Sequence, residues 1–227
     1  MRCDRRLLLG WLLALVPLAF SCSAGPVGGG PRPGRRSVRL PAPEADSGPP
    51  LTQVLARRRS VRAYRPRPLT EREIGQLLWA TQGITDPVGL RTAPSAGATY
   101  PLEVYVATAA GLYGYQPDGH SLVEVLNRDV RGDLADAGLG QSWLRQGPAV
   151  FIIAAVYPRT ATRYGSRAER YVHLEAGHAC QNLLLQAEAL GLGGVAVGAF
   201  DDAEVARVLG LPADQSPLYL VPVGQPA

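Results

Sequence analysis

Arg57-Arg58-Arg59-Ser60-Val61-Arg62-Ala63-Tyr64-Arg65-Pro66-Arg67 sets six arginines in eleven residues without one acid. Three features separate it from a solvated charge run. Ser60 places a hydroxyl inside it, Val61 interrupts it with an apolar side chain, and a helix follows at once. Guanidiniums present planar forks of donors that match acceptor-only phosphate oxygens, each charge-assisted bond contributing ~1.5–3 kcal/mol. The stretch therefore reads as a phosphate clamp, and the chain around it reads as its scaffold.

On its N-terminal side Leu51, Val54 and Leu55 make a short helical face leading into the cluster. On its C-terminal side Thr70-Glu71-Arg72-Glu73 is a capping box, after which Ile74, Leu77 and Leu78 carry a helix to Ala80. Residues 83–101 are turn-rich and form a loop. Val104 to Thr108 reads as a strand, and Leu112–Tyr115 pairs with His120–Val125 across Asp118-Gly119, a hairpin signal. A weaker helix spans about 128–138, with another near Trp143. Ala149 to Val156 is apolar on both faces, as a central strand must be when it is covered on both sides. The longest helix runs from Ala168 to Leu190, its apolar residues Val172, Ala176, Ala179, Leu183, Ala187 and Leu190 at spacings of three and four. Gly191 stops it. A strand from Val195 to Phe200 follows, Asp201 or Asp202 caps a helix to Leu209, and Leu218–Val223 closes the sheet. Helices layered on both faces of one mixed sheet accommodate all of these elements.

All 23 basic side chains are arginine, which excludes a Schiff-base lysine, a Walker lysine and a lysine base. The net charge of +4 is a property of the N-terminal fifty residues, because residues 51–227 hold 16 arginines against 16 acids. A neutral folded part argues against nucleic acid as a partner. Residues 1–21 read as an export signal: Arg2, Arg5 and Arg6 precede the apolar run Leu7–Phe20, which is too short to span a bilayer. Ala19-Phe20-Ser21-Cys22 resembles a lipobox ending in a lipid-modified cysteine, and Arg5-Arg6-Leu7-Leu8 resembles a twin-arginine signal. The expected locations are the membrane surface, by a lipid anchor, or the periplasm. Residues 22–50, rich in proline and glycine, read as a disordered tether, leaving residues 51–227 as one domain.

Arg58-Arg59-Ser60-Val61-Arg62, Pro94-Ser95-Ala96-Gly97 ahead of Pro101, Ala189-Leu190-Gly191-Leu192-Gly193-Gly194, and Gly198-Ala199-Phe200-Asp201 resemble the nitroreductase superfamily in its own order. Tyr164-Gly165-Ser166-Arg167, His173-Leu174-Glu175-Ala176-Gly177-His178 and Gln181-Asn182 look like its SagB-type branch, which includes thiazole- and oxazole-forming oxidases. The resemblance implies an α+β fold, a three-layer α/β/α sandwich about a mixed, mostly antiparallel sheet. It also implies an FMN cofactor at the interface of a homodimer. By the same resemblance Arg58, Arg59 and Ser60 contact phosphate and ribityl, and Arg62 reaches the pyrimidine edge. Pro94, Ser95, Ala96 and Gly97 lie along the ring, and Val197, Gly198 and Ala199 carry the backbone amide facing N5. Gln225 stands where relatives often carry an arginine on the phosphate.

Arg163-Tyr164 occupies the place of the Lys-Tyr pair of azoline-oxidising relatives. A guanidinium stays charged in proteins and cannot serve as the base a lysine could be, so Arg163 is expected to bind an anionic group while Tyr164 carries any proton chemistry. His173 and His178, five residues apart, face different ways on a helix and form no metal pair. His120 follows a turn and reads as exposed. Cys180, among apolar neighbours, reads as a small core residue. The leading reading is an FMN-dependent oxidoreductase acting on a small molecule or peptide. Beside it stand an NAD(P)H-dependent nitro or quinone reductase and a non-catalytic flavin-binding envelope module.

Overall fold

The computed structural model describes residues 36–227, and these belong to one compact unit. The signal, lipobox, Cys22 and twin-arginine readings lie outside the described residues. In chain order the elements are β1 Ser37–Arg39, α1 Leu51–Arg57, α2 Glu71–Gln82, β2 Leu102–Thr108, β3 Gly111–Gln116 and β4 Ser121–Leu126. There follow α3 Arg131–Ala137, α4 Ser142–Gln146, β5 Ala149–Val156, α5 Tyr157–Tyr164, α6 Ala168–Ala189, β6 Gly193–Gly194, α7 Asp202–Leu209 and β7 Gln215–Gly224.

The seven strands form one sheet in the order β1-β4-β3-β2-β5-β7-β6. Among the described residues every strand pairing is antiparallel, and the parallel component is a single bridge between Ser60 and Gly194. β5 lies inside the sheet and is buried along its whole length, as its unbroken apolar sequence requires. Its alternate residues feed two cores. Phe151 and Ile153 meet Leu77 and Leu78 of α2 and Val172, Ala176, Ala179 and Leu183 of α6. Val150 and Ile152 meet Leu134, Leu144, Val205 and Leu209 of α3, α4 and α7. The result is the expected three-layer sandwich, with β5 as the partition between two apolar layers. Cys180 belongs to the first core, and burial pushes its thiol up to about 12.

The capping box at α2 is complete: Thr70 Oγ1 accepts from the Glu73 N–H at 3.2 Å, and Glu73 Oε2 accepts from the Thr70 N–H at 2.7 Å. Asp201 caps α7 by accepting from the Glu204 N–H at 2.9 Å. No helix among the described residues is long and apolar enough to cross a membrane.

Four sequence expectations need correction. Residues 36–50 are not all tether: β1 pairs with β4 at the sheet edge, Leu40 is buried, and Gln76 clamps the backbone of Glu44 with bonds of 2.8 and 3.0 Å. Average composition hides this, because Val38 and Leu40 need only an open edge and one core position to order a proline-rich segment. Val195–Phe200 is not a continuous strand. Its ladder with β7 is interrupted where Val195 faces Pro222, which accepts a bond but has no N–H to return one. Only Val197 rejoins, exchanging bonds of 2.9 and 3.0 Å with Leu220. Arg163-Tyr164 ends a helix, α5, absent from the elements expected above, with Thr160 as its single buried residue. His120 is half-buried rather than exposed, with Nδ1 at 2.9 Å from Tyr115 Oη, and burial lowers its pKa.

Candidate functional site

The arginine cluster leaves α1 in extended conformation and is sewn to the far edge of the sheet. Val61 N–H donates to Gly194 O at 3.0 Å, Arg65 N–H to Gln225 O at 2.9 Å, and Tyr64 Oη–H to Val61 O at 2.6 Å. Close approach depends on Gly193: a Cβ there would stand 2.4 Å from Val61 Cγ2 and 2.8 Å from Val61 Cβ. The fold thus brings Arg58, Arg59, Ser60 and Arg62 beside Gly193–Gly194 and beside Gln225 at the end of β7.

α4 ties in the third segment. Gln141 Nε2 donates to Ala199 O at 2.7 Å, and the Arg62 guanidinium lies over the Trp143 ring at 5.5 Å. Val197 is buried, whereas Gly198 and Ala199 are exposed. A Cβ built on Gly198 would meet nothing within 4 Å, so the backbone there faces open space.

Unpaired positive charge is concentrated at this edge, although Arg36, Arg39, Arg91, Arg163, Arg167 and Arg170 also hold no carboxylate among the described residues. Arg67, Arg72, Arg128, Arg131, Arg145, Arg159 and Arg207 each hold a carboxylate. Among the described residues Arg57, Arg58, Arg59, Arg62 and Arg65 hold none. Arg59 spends one nitrogen on the carbonyls of Ala56 and Arg58, at 3.0 and 2.8 Å, and thereby caps α1. Among the described residues Arg58 and Arg62 donate no side-chain hydrogen bond. An uncompensated set of guanidiniums on a glycine-lined edge is the electrostatic complement of a phosphate with a flat group attached.

A second group forms around the loop Pro94–Tyr100. Gly97, Ala98 and Tyr100 have φ of 59°, 53° and 43°, and the two that are not glycine are strained there. The loop is held from several sides. Arg163 Nη1 donates to Gly97 O at 3.1 Å, Thr99 and Thr160 share a hydroxyl bond of 2.8 Å, and Arg159 donates to Tyr100 O at 3.2 Å. Tyr100 N–H donates to Ser95 Oγ at 2.9 Å, and Arg91 stacks over the Tyr100 ring at 4.6 Å. Any Cβ at Gly97 would collide with Tyr164 Oη at 2.7 Å and Arg163 Nη1 at 2.8 Å. Arg163 and Tyr164 therefore lie directly against the Pro94–Gly97 loop. Tyr164 also meets Tyr171 edge-on at 4.9 Å, and Arg167 donates to Tyr171 Oη at 3.0 Å.

Beneath this loop lies a residue whose chemistry sequence reasoning did not extract. Glu175 of α6 is only 3% exposed and its Oε1 has no hydrogen-bond partner. Burial pushes its carboxyl up to about 7, with the Ser95 hydroxyl and the Arg91 guanidinium partly offsetting the shift. An acid at the helical position of Val172 and Ala179, on a face otherwise apolar, was the available signal. His173, by contrast, bonds Tyr157 Oη at 2.7 Å.

No hydrogen bond or ion pair among the described residues joins the arginine group to the Pro94–Gly97 group. Both lie along α6: Glu175 sits under Ser95, while Leu184 Cδ2 is 3.3 Å from a Cβ built on Gly194. At 1.5 Å per residue these positions are about 14 Å apart along the helix.

The sequence profile of the Nitroreductase family matches residues 55–225. A Methanocaldococcus jannaschii protein assigned to the nitroreductases is 49% identical over 181 residues, covering 77% of this chain and 90% of that one. A Ralstonia eutropha protein assigned to the nitroreductases has a crystal structure that superposes with a TM-score of 0.78 at 31% identity, over 85% of this chain and 90% of that one. The NADPH:FMN oxidoreductase of Vibrio harveyi, solved with NAD+, superposes with a TM-score of 0.59 at 21% identity over 78% and 68%, a likeness of fold.

Proposed function

This chain belongs to the nitroreductase family, and on that premise we propose that it is an FMN-dependent oxidoreductase of the SagB type that works as a homodimer. The observation that carries the reading is the set of guanidiniums without carboxylate partners in residues 57–65, held by backbone bonds to Gly194 and Gln225 at the sheet edge. Arg58, Arg59 and Ser60 would hold the phosphate, Arg62 the ring edge, and Val197, Gly198 and Ala199 the backbone side of the ring. Gln225 can donate a neutral hydrogen bond but adds no charge. When bound, FMN supplies a two-electron hydride acceptor and donor at N5.

The chain's own residues define what surrounds that chemistry. A guanidinium near the ring favours negative charge there by electrostatics alone. Pro94, Ser95, Ala96 and Gly97 bring little side-chain bulk to a loop strained at Ala98 and Tyr100, which suits it to cover a planar group. The two residue groups within one protomer support a composite site, in which the loop of one copy completes the arginine edge of the other. Leu51, Leu55 and Leu174, exposed at 62%, 52% and 52% on α1 and α6, give the partner an apolar surface. Arg163 would bind an anionic group of a small-molecule or peptide substrate, with Tyr164 beside it as the proton-bearing group.

Export, by a signal within residues 1–21 and a lipid on Cys22 or release into the periplasm, completes the proposal. An enzyme outside the cytoplasm that oxidises a donor and passes electrons to a quinone or oxygen needs no reduced nicotinamide. Similarity to a Vibrio harveyi NADPH-flavin oxidoreductase, 30% identical over 114 residues, favours the second reading, a nitro or quinone reductase fed by NAD(P)H.

The visible spectrum of the purified protein tests the cofactor, with the released chromophore identified by mass. A colourless protein that takes up no FMN on titration would reject the proposal. Consumption of NAD(P)H would decide for the second reading over the first.

A further inference from the structure

Glu175 is a buried acid that the proposed binding of FMN does not use. Two groups act on it directly, and others act through them. Ser95 faces it from the loop, and Arg91 approaches from the segment after α2, donating to Gln82 Oε1 at 2.9 Å. Glu103 of β2 and Arg159 of α5, paired with each other, act on Arg91 together with Tyr100, and Tyr115 of β3 also feels Arg91. Arg91 is itself largely desolvated, so a single guanidinium, partly engaged by an amide and an aromatic ring, faces this carboxyl. Ser95 Oγ accepts from the Tyr100 N–H, which leaves the Ser95 proton free to point at Glu175. One carboxyl oxygen, Oε1, remains without a partner in a buried position, which costs free energy for a charged acid and far less for a neutral one.

We propose that Glu175 is the proton store of the redox site, exchanging its proton with a bound reactant through the hydroxyl of Ser95. The inference rests on the FMN reading, because Ser95 belongs to the loop that would cover the ring. It also answers a need specific to this chain. No lysine exists, and the position of the relatives' lysine is Arg163, so neither can exchange a proton near neutral pH. Reduction of a quinone-class acceptor needs one hydride, supplied by reduced FMN, and one proton. The acceptor oxygen takes the proton of Ser95 Oγ as that O–H bond breaks, and the Glu175 O–H bond breaks as Ser95 is reprotonated. The carboxylate left behind regains a proton from solvent by the reverse route between turnovers. Glu175 touches Ser95 and not the reactants, so it is a positioning and relay residue.

The test uses the full FMN-loaded protein, reduced anaerobically with dithionite and mixed with a water-soluble naphthoquinone across pH 5.5–9. The expected wild-type reoxidation rate falls about tenfold per pH unit above neutrality, as a single required proton demands. Glu175→Gln and Ser95→Ala should both be at least about tenfold slower at pH 6 and flat with pH, while Glu175→Asp keeps a pH-dependent limb. Infrared titration of the FMN-free protein gives a second reading that needs no turnover. A protonated-carboxyl band should disappear as pH rises through neutrality and be missing from Glu175→Gln. A Glu175→Gln profile that parallels wild type overturns the relay, as does an absent carboxyl band. Failure to bind FMN overturns the parent reading, and the relay with it.

Discussion

Gly193→Ala tests how a contact remote from any ligand sets the clamp. The added methyl would stand 2.4 Å from Val61 Cγ2, 2.8 Å from Val61 Cβ and 3.2 Å from Val61 Cγ1. Rotating the Val61 side chain relieves the first and third contacts but not the second, so the Ser60–Val61 backbone must move away. That movement stretches the 3.0 Å bond from Val61 N–H to Gly194 O and the bridge between Ser60 and Gly194. Overpacking costs about 1–3 kcal/mol and a weakened backbone bond about 1 kcal/mol, so a urea melt should lose on the order of 2–3 kcal/mol. The arginines flanking Val61 move with it. Loss of one charge-assisted phosphate bond, ~1.5–3 kcal/mol, weakens FMN by about 10- to 150-fold in a fluorescence-quenching titration. Val61→Ala in the same background removes two of the three close atoms and should recover part of both losses, giving a coupling energy above about 0.5 kcal/mol. An unchanged FMN affinity in a destabilised Gly193→Ala protein would refute the placement of the clamp. Zero coupling with Val61→Ala would refute the collision as its cause.

Arg58→Ala should leave thermal stability within about 0.5 kcal/mol, since the side chain holds no partner, yet weaken FMN about tenfold or more. Arg67→Ala, which breaks the pair with Glu73, should leave FMN affinity unchanged in the same titration. Burial raises the Glu175 carboxyl from 4.5 to about 7, so the folded state binds the extra proton between those values and stability falls as pH rises through that window. Glu175→Gln should flatten that slope in urea melts and exceed wild type above pH 7 by up to ~3 kcal/mol. Phe151→Ala, at a fully buried position of β5, should cost ~3–5 kcal/mol by the same measurement. With a thiazoline peptide followed by mass, wild-type oxidation should be slow, Tyr164→Phe should abolish it and Arg163→Lys should raise it; efficient oxidation surviving both changes would reject this assignment.

The sequence alone determined the elements whose cause is local or periodic. Thr70 and Glu73 announce α2 because both partners of the capping box lie within one turn. Val172 through Ala187 announces α6 because its buried stripe repeats at helical spacing, and the unbroken apolar run 149–156 announces a strand covered on both sides. The density of arginine without acid in residues 57–67 was visible as well, since charge needs no partner to be counted.

What only the tertiary structure decided depends on partners distant in the chain. Residues 37–39 became a strand because β4 offered an edge, and Val195–Phe200 lost its ladder because Pro222 happens to face it. The arginines are visibly many, but that none of the five in residues 57–65 holds a carboxylate follows from where the acids end up in space. Glu175 shows the difference most plainly. Its letter falls on the buried side of a helix, yet its protonation depends on Ser95, Arg91 and the closed surface above it, each contributed by a different segment. Burial and pairing are sums over neighbours, and a chain specifies its neighbours only by folding.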